Sequence, residues 1–193
     1  MYEPRQWTQI LRAQNSEFGF IEGLDGHKSI IKDARYPSDL GEIANRNILF
    51  ARDYMASSEN TFCWTKDYSV NIAVLDEQHK DLFNTVNELE QALSAGSGDA
   101  ALDSILHKLV QYALSHFAAE EHLMREHAFP GLMAHVVQHQ MFRARVAEFL
   151  TDHRAGKAGV LASLLLFMQD WLKKHVLKID KQYSPFLTAR GVR

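Results

Sequence analysis

Several ionisable side chains lie at positions where the helical pattern of this chain calls for apolar core residues. Burying such groups without partners costs several kcal/mol each, so proteins tolerate them mainly when they are paired or coordinate a metal. Imidazole and carboxylate together suit iron, zinc or copper, whereas calcium and magnesium prefer oxygen ligands alone. The pattern therefore predicts a metal site with enough ligands for two ions. The residues are His79, His116, Glu120, His135, His139, His175 and Asp180.

The spacing of these residues indicates how they would meet. Glu120 follows His116, and His139 follows His135, by four residues, a spacing that places both members of a pair on one face of a helix. Asp180 follows His175 by five, which on an ideal α-helix separates the two by about 140°. A bridging carboxylate that points away from the imidazole and a local π-type irregularity both accommodate this spacing. The sequence leaves the two open.

The number and type of ligands also indicate the metal. Seven ligands exceed the four of a tetrahedral zinc site. Two carboxylates among them suffice to bridge a pair of ions. A non-haem di-iron centre is therefore the predicted cofactor.

Four stretches of helical periodicity contain these residues. In each stretch the histidines, and Glu120 with them, continue the apolar stripe without a change of phase. The joints between stretches are short and rich in glycine, which predicts an antiparallel up-down-up-down four-helix bundle. The fold class is therefore mainly α. The approximate helix ranges are 75–95, 99–126, 132–154 and 158–183.

Four motifs between residues 64 and 190 can be compared with known families. They read DEQHK at 76–80, HFAAE at 116–120, HVVQH at 135–139 and WLKKH at 171–175, the last followed by Asp180 and Tyr183. Together, and with the arm that begins at Trp64, they resemble the bacteriohemerythrins, the bacterial members of the hemerythrin family. The resemblance extends over about two thirds of the chain.

The resemblance implies a pair of non-haem iron ions joined by two carboxylates and an oxo or hydroxo group. One iron would be coordinatively filled, and the other would keep an open position at which dioxygen binds reversibly, for carriage, storage or sensing. The chain would then be an oxygen-binding protein rather than an enzyme. The implied ligands are His135, His139 and His175 of the filled iron, His79 and His116 of the open one, and the bridging Glu120 and Asp180.

Two other functions fit the same residues. A di-iron centre of this kind can reduce peroxide, dioxygen or nitric oxide, although the sequence contains no flavin or nicotinamide motif and no cysteine pair to supply electrons. Alternatively, the state of the iron site can regulate what residues 1–62 bind. Iron storage is poorly supported, because ligands closed around one pair of ions leave no route to a mineral core.

Residues 1–62 differ in character from residues 63–193. Short β-type runs separated by turn residues predict a small β-rich module ahead of the helical domain. Its stretch Asn15–Glu22 resembles the first nucleic-acid motif of cold-shock domains, which are OB-type barrels. The second such motif is absent at Ser29–Asp33. Because residues 1–63 contain seven Lys and Arg against nine Asp and Glu, we expect a protein partner here and not a nucleic acid.

Composition limits the classes of protein that fit. The chain has 193 residues, 46% of them apolar and 23% charged, with a formal net charge of −3. This is ordinary globular composition, and the charge gives no reason to expect nucleic acid or an anionic membrane as partner. No apolar run approaches the roughly 18 residues of a membrane span. With Cys63 as its single cysteine and no signal-like start, the chain is expected in the cytoplasm.

The remaining candidates near the motifs have simple structural roles available. Glu121 is expected to be solvated, and Tyr183 either hydrogen-bonds near the site or caps the last turn. The tryptophans of the motifs either shield the metals or pack in the core. Histidines outside the motifs are expected at the surface or at helix ends: His107, His122, His127 and His153. Walls of an apolar ligand pocket are expected from Leu75, Phe83, Leu132 and Val176.

Overall fold

The computed structural model of the chain describes residues 62–96 and 98–193, without the side chains of 98–100. The β-rich module predicted for residues 1–62, with its cold-shock-like stretch Asn15–Glu22, lies outside the described residues apart from Phe62. The described residues from 63 onwards fall within the helical domain predicted for 63–193.

Four long helices make up the described part of the chain. Consecutive helices pack against each other, and the first packs against the last, so the four close into a bundle. Because short joints connect them, neighbouring helices run antiparallel. The elements are a 3-10 turn at Lys66–Tyr68, α1 at Ala73–Ser94, α2 at Gly98–Glu126, α3 at Leu132–Arg154, and a fourth helix made of α4 at Val160–Trp171, a π-helical segment at Leu172–Ile179 and α5 at Asp180–Thr188.

The predicted helices are confirmed, and the fourth extends five residues beyond its predicted end at 183. The chain leaves α1 and α3 at Gly96 and Gly156, both with φ of +66°. This left-handed conformation favours glycine because it has no Cβ. None of the described helices is both long enough and apolar enough to cross a membrane.

The two ends of the bundle differ in the residues that they bury. One end is apolar and contains Leu89, Leu106 and Phe149 among its fully buried side chains. Antiparallel connection brings the N-terminal halves of α1 and α3 to the same end as the C-terminal halves of α2 and the fourth helix. All the predicted metal ligands lie in those halves, so the topology gathers them at one end.

The arm before α1 closes that end of the bundle. Val70 is fully buried, its backbone N–H donates to Asp76 Oδ1 at 2.7 Å, and its carbonyl accepts from Ser184 Oγ at 2.7 Å. Ser69 Oγ donates to the other oxygen of Asp76 at 2.6 Å, and Lys181 Nζ donates to the Ser69 carbonyl. The first turn of α1 and the last helix therefore hold the arm in place from both sides.

The π-helical segment explains the five-residue spacing of His175 and Asp180. The backbone N–H of Asp180 donates to the carbonyl of His175, which is the i to i+5 bond of a π-helix. The wider turn brings both side chains to the buried face of the helix, where His175 is 2% and Asp180 0% exposed. Of the two explanations that the sequence left open, the π-type irregularity is the one observed.

The segment yields a prediction about chain length in the fourth helix. Deleting the exposed Lys178 leaves His175 and Asp180 four residues apart, a spacing that an ordinary α-helix places on one face. We expect this variant to keep its helical content, with a thermal midpoint within about 4 °C of the parent, or roughly 1 kcal/mol. Inserting one alanine after Lys178 instead rotates Asp180 and the buried Tyr183 away from the core, and we expect a loss of roughly 2–5 kcal/mol.

Circular dichroism melts of the deletion and insertion variants, compared with the parent, measure both effects. Equal destabilisation by the deletion and the insertion would contradict the assigned role of the π-helical segment.

Candidate metal centre

The structure brings all the predicted ligands together inside one end of the bundle. α1 contributes one of them, while α2, α3 and the fourth helix contribute two each. Every one of these side chains is buried, with exposed fractions between 0 and 4%. The exposed fractions are 0% for His79, His116, Glu120, His139 and Asp180, 2% for His175 and 4% for His135.

Glu120 lies between two groups of imidazoles. Its Oε1 is 3.3 Å from His116 Nε2 and 3.8 Å from His79 Nε2. Its Oε2 is 3.0 Å from His139 Nε2 and 3.2 Å from His135 Nε2. Each carboxylate oxygen therefore faces a different pair of histidines.

Asp180 repeats this arrangement from the opposite helix. Its Oδ2 is 3.3 Å from His79 Nε2. Its Oδ1 is 3.1 Å from His175 Nε2 and 3.6 Å from His135 Nε2. The two acids thus divide the five imidazoles into the same two groups, His79 with His116, and His135 with His139 and His175.

Many of these polar atoms have no hydrogen-bond partner among the described residues, although they are buried. Such atoms include Nε2 of His79, His116, His139 and His175 and both carboxylate oxygens of Asp180. The short distances between them lack hydrogen-bond alignment. Buried polar atoms are normally satisfied, so atoms that converge without bonding each other fit the ligand atoms of a cation. In each group, ligand atoms lie within 4.8 Å of one another.

The two carboxylates are held in their charged form. Burial alone raises the pKa of Glu120, but contacts with His116, His135 and His139 outweigh burial and hold that pKa well below its usual value. Burial and the neighbouring Glu120 raise the pKa of Asp180, whereas His175 and His79 lower it, and the result is about 2. The site therefore contains two buried negative charges.

The imidazoles respond to those charges in two ways. Burial lowers the pKa of His116 and of His175, which favours the neutral form that binds metals. Burial also lowers the pKa of His79 and His139, but close contacts with the charged carboxylates of Asp180, Glu120 and Glu121 reverse the effect and raise both pKa values. The charges of the carboxylates can be offset either by protons on these two imidazoles or by bound metal ions. Metal binding therefore releases protons here.

Tyr183 hydrogen-bonds inside the site and does not merely cap the last turn. Its hydroxyl donates to Glu120 Oε1, and the side chain is fully buried. Burial first, and then the charges of Glu120 and Asp180, raise the pKa of Tyr183 well above its usual value. The phenol therefore stays protonated and holds the Glu120 carboxylate in its orientation.

Aromatic rings surround the imidazoles. Trp171 stacks on His175 with ring centroids 3.9 Å apart, and Phe117 stacks on His139 at 3.8 Å. The ring centroid of Trp64 in the arm lies 6.3 Å from that of His79.

Three of the expected pocket walls are buried, while Leu132 is half-buried. These three are Leu75, Phe83 and Val176.

Glu121 is buried, and the expectation that it would be solvated is wrong. Its exposed fraction is 3%, and its Oε1 accepts a hydrogen bond from His139 Nδ1 at 2.8 Å, which compensates the carboxylate for its burial. The signal for this position is a second buried stripe on α2, which includes Leu106, Val110, Phe117 and Met124. Glu121 follows Phe117 by four residues and continues that stripe.

Gln78 is a second functional neighbour that sequence reasoning missed. Its Oε1 lies 2.9 Å from His116 Nδ1, so it supports His116 as Glu121 supports His139. Only the long-range contact between α1 and α2 identifies it, because the two residues are 38 positions apart.

The four histidines expected outside the site do lie outside both groups of converging ligand atoms: His107, His122, His127 and His153.

Comparison with known proteins agrees with this geometry. The family model described as "Hemerythrin HHE cation binding domain" matches residues 70–187. The bacteriohemerythrin of Methylococcus capsulatus is 32% identical over 127 residues, which cover 65% of this chain and 96% of that protein. The myohemerythrin of Sipunculus nudus is 27% identical over 123 residues, or 64% of this chain and 91% of that protein.

A solved structure agrees as well. The crystal structure of a wild-type hemerythrin superposes with a TM-score of 0.61 and 30% identity, and the match covers 67% of this chain and 99% of that one. A shared fold, a matching family model and a buried histidine and carboxylate cluster thus coincide in one part of the molecule. The chain belongs to the hemerythrin family of iron- and oxygen-binding proteins.

Proposed function

We propose that the cluster holds two non-haem iron ions and that this centre binds dioxygen reversibly. Two ions are inferred, and not one, because each of the two carboxylates presents one oxygen to each group of imidazoles. A single ion would need only one oxygen from each acid. The proposed ligands are His79, His116, Glu120, His135, His139, His175 and Asp180, with an oxo or hydroxo group as a further bridge.

The two ions would be unequal. One would have three imidazoles and two carboxylate oxygens, and the other two imidazoles and two carboxylate oxygens. The second ion, beside His79 and His116, therefore has one protein donor fewer and keeps a position for an external ligand. We propose this position as the dioxygen site.

The surrounding residues orient the ligands and exclude water. Tyr183 fixes one bridging carboxylate through its hydrogen bond to Glu120. Leu75, Phe83 and Val176 are buried and have no polar side-chain atom with which to hold a water molecule. When bound, ferrous ions supply the electrons with which dioxygen is held reversibly, and a dry pocket slows the entry of water that would end this state.

Binding without turnover is the role that the site supports best. Its ligands are between 0 and 4% exposed, so a donor or a larger substrate has little access to them. The relatives reported above are named as bacteriohemerythrin and myohemerythrin. We propose carriage, storage or sensing of oxygen in the cytoplasm, where the free Cys63 fits a reducing compartment.

Iron content tests the proposed division of ligands. We expect about two iron ions per chain in the parent and about one in His79→Ala or His116→Ala, because each variant leaves a single imidazole on the more weakly held ion. Metal analysis by mass spectrometry of the purified, full chain provides the count. His122→Ala is the matched control, since its side chain lies on the same helix as His116 but is 71% exposed.

The control variant should retain both ions. Loss of both ions together from His79→Ala and His116→Ala would contradict the assignment of these two residues to one metal.

Oxygen binding is tested by the visible spectrum. Reduced, iron-loaded protein mixed with air should develop a band that lasts for minutes or longer and disappears when oxygen is removed. Phe83→Ala should shorten the lifetime of this band. The ring centroid of Phe83 lies 5.5 Å from that of Trp64 and 4.6 Å from that of Tyr68, so Phe83 closes the side of the proposed pocket next to the arm. Phe149→Ala removes an equal volume at the apolar end and should leave the lifetime unchanged.

Immediate conversion of the reduced parent to a ferric spectrum, with no reversible band, would favour the oxidase or peroxidase alternative over oxygen binding.

We also propose that residues 1–62 form a module separate from the bundle at 63–193, with a protein as its partner. The family match begins only at residue 70. The alignments with the two relatives reported above cover 65% and 64% of this chain. Limited proteolysis of the full, iron-loaded chain should therefore give a stable fragment close to 63–193 that keeps its iron. Release of iron at the first cleavage would show instead that the two parts act as one unit.

A further inference from the structure

One histidine in each group has a side-chain partner behind it, and the two partners differ. His139 Nδ1 donates to the carboxylate of Glu121 at 2.8 Å, whereas His116 Nδ1 donates to the neutral amide oxygen of Gln78 at 2.9 Å. In both cases the Nδ1 proton is engaged and the Nε2 lone pair faces the cluster. The geometry is thus alike at His139 and His116, and the charge of the acceptor is what differs.

Arg143 also contacts Glu121. Arg143 Nη2 lies 3.5 Å from the same oxygen of Glu121 and 3.3 Å from the carbonyl of Ala113. The guanidinium lies over the Phe117 ring at 5.3 Å, and that ring stacks on His139. His139 is therefore held both by its hydrogen bond to Glu121 and by the Phe117 ring.

We propose that Glu121 and Gln78 are positioning residues that set unequal metal affinities at the two positions of the cluster. A carboxylate behind an imidazole raises the basicity of its ligand nitrogen and fixes its tautomer, and an amide does so less. Glu121 thus raises the metal affinity at the position of His135, His139 and His175 beyond what the third imidazole gives. The metal affinity at the position of His79 and His116 stays lower. This inference rests on the proposed two-metal site.

The inequality suits a centre that must hold one ion firmly and expose the other. The more weakly held ion is the one to which the external ligand is proposed to bind. The neutral amide of Gln78 adds no further negative charge near Glu120, Asp180 and Glu121. Removing an outer partner of this kind typically lowers metal affinity about 10–100-fold.

A cobalt titration separates the two positions. Metal-free full chain is titrated with Co²⁺ against a competing chelator, and the absorption of bound cobalt gives the two stepwise dissociation constants. Glu121→Gln makes the two acceptors alike without changing side-chain shape. We expect it to weaken the tighter step about 10–100-fold and to change the weaker step by less than about threefold.

The reciprocal variant makes the proposal testable even if Glu121→Gln fails to fold. Gln78 is half-buried, so Gln78→Glu keeps an exit to solvent for part of the new charge. We expect it to tighten the weaker step by about tenfold. Glu126→Gln is the matched control, because it is the same change on the same helix at a side chain that is 58% exposed. It should alter neither constant.

The outcomes distinguish this inference from the proposed function. Binding of a single cobalt ion by the parent would overturn the two-metal site itself. Two ions with equal constants in the parent, or variants that shift both steps together or neither, would overturn only the roles of Glu121 and Gln78. If Glu121 and Gln78 had a purely structural role, the metal-free variants would melt at a lower temperature and both dissociation constants would change alike. That result would contradict the proposal.

Discussion

Two carboxylates buried among five imidazoles are the constraint on which the structure depends. Glu120 and Asp180 each face both groups of histidines, and both remain charged inside an apolar bundle. Charges without compensation in such surroundings would oppose folding. The stability of this end of the bundle is therefore inseparable from whatever cation or protons balance the two acids.

The fold meets this constraint by distributing the ligands over all four helices. Antiparallel packing aligns the ligand-bearing halves of the helices at one end, and the apolar end supplies burial without polar groups. The π-helical segment provides the extra residue that lets His175 and Asp180 share a face. The arm and Tyr183 then close the end of the bundle, so that orientation of the ligands and exclusion of water arise from the same contacts.

The sequence predicted the helices and the clustering of the ligands because helical periodicity is local. His116 and Glu120 fall on the apolar stripe of their own helix, and nothing beyond that helix is needed to see it. How the helix accommodates the five-residue spacing of His175 and Asp180 could not be predicted. A carboxylate that points away from the imidazole and a π-type irregularity both fit this spacing. The burial of Glu121 and the contact of Gln78 with His116 depend on how neighbouring helices meet, which no single stripe specifies.

The most direct test of the central claim is the thermal unfolding of the full chain, metal-free and loaded anaerobically with ferrous iron at the same pH. A site occupied at about a thousandfold above its dissociation constant adds about 4 kcal/mol, which for a domain of this size raises the midpoint by at least about 8 °C. The account predicts at least this rise on loading. Equal midpoints, with full helical content in the metal-free chain, would contradict it.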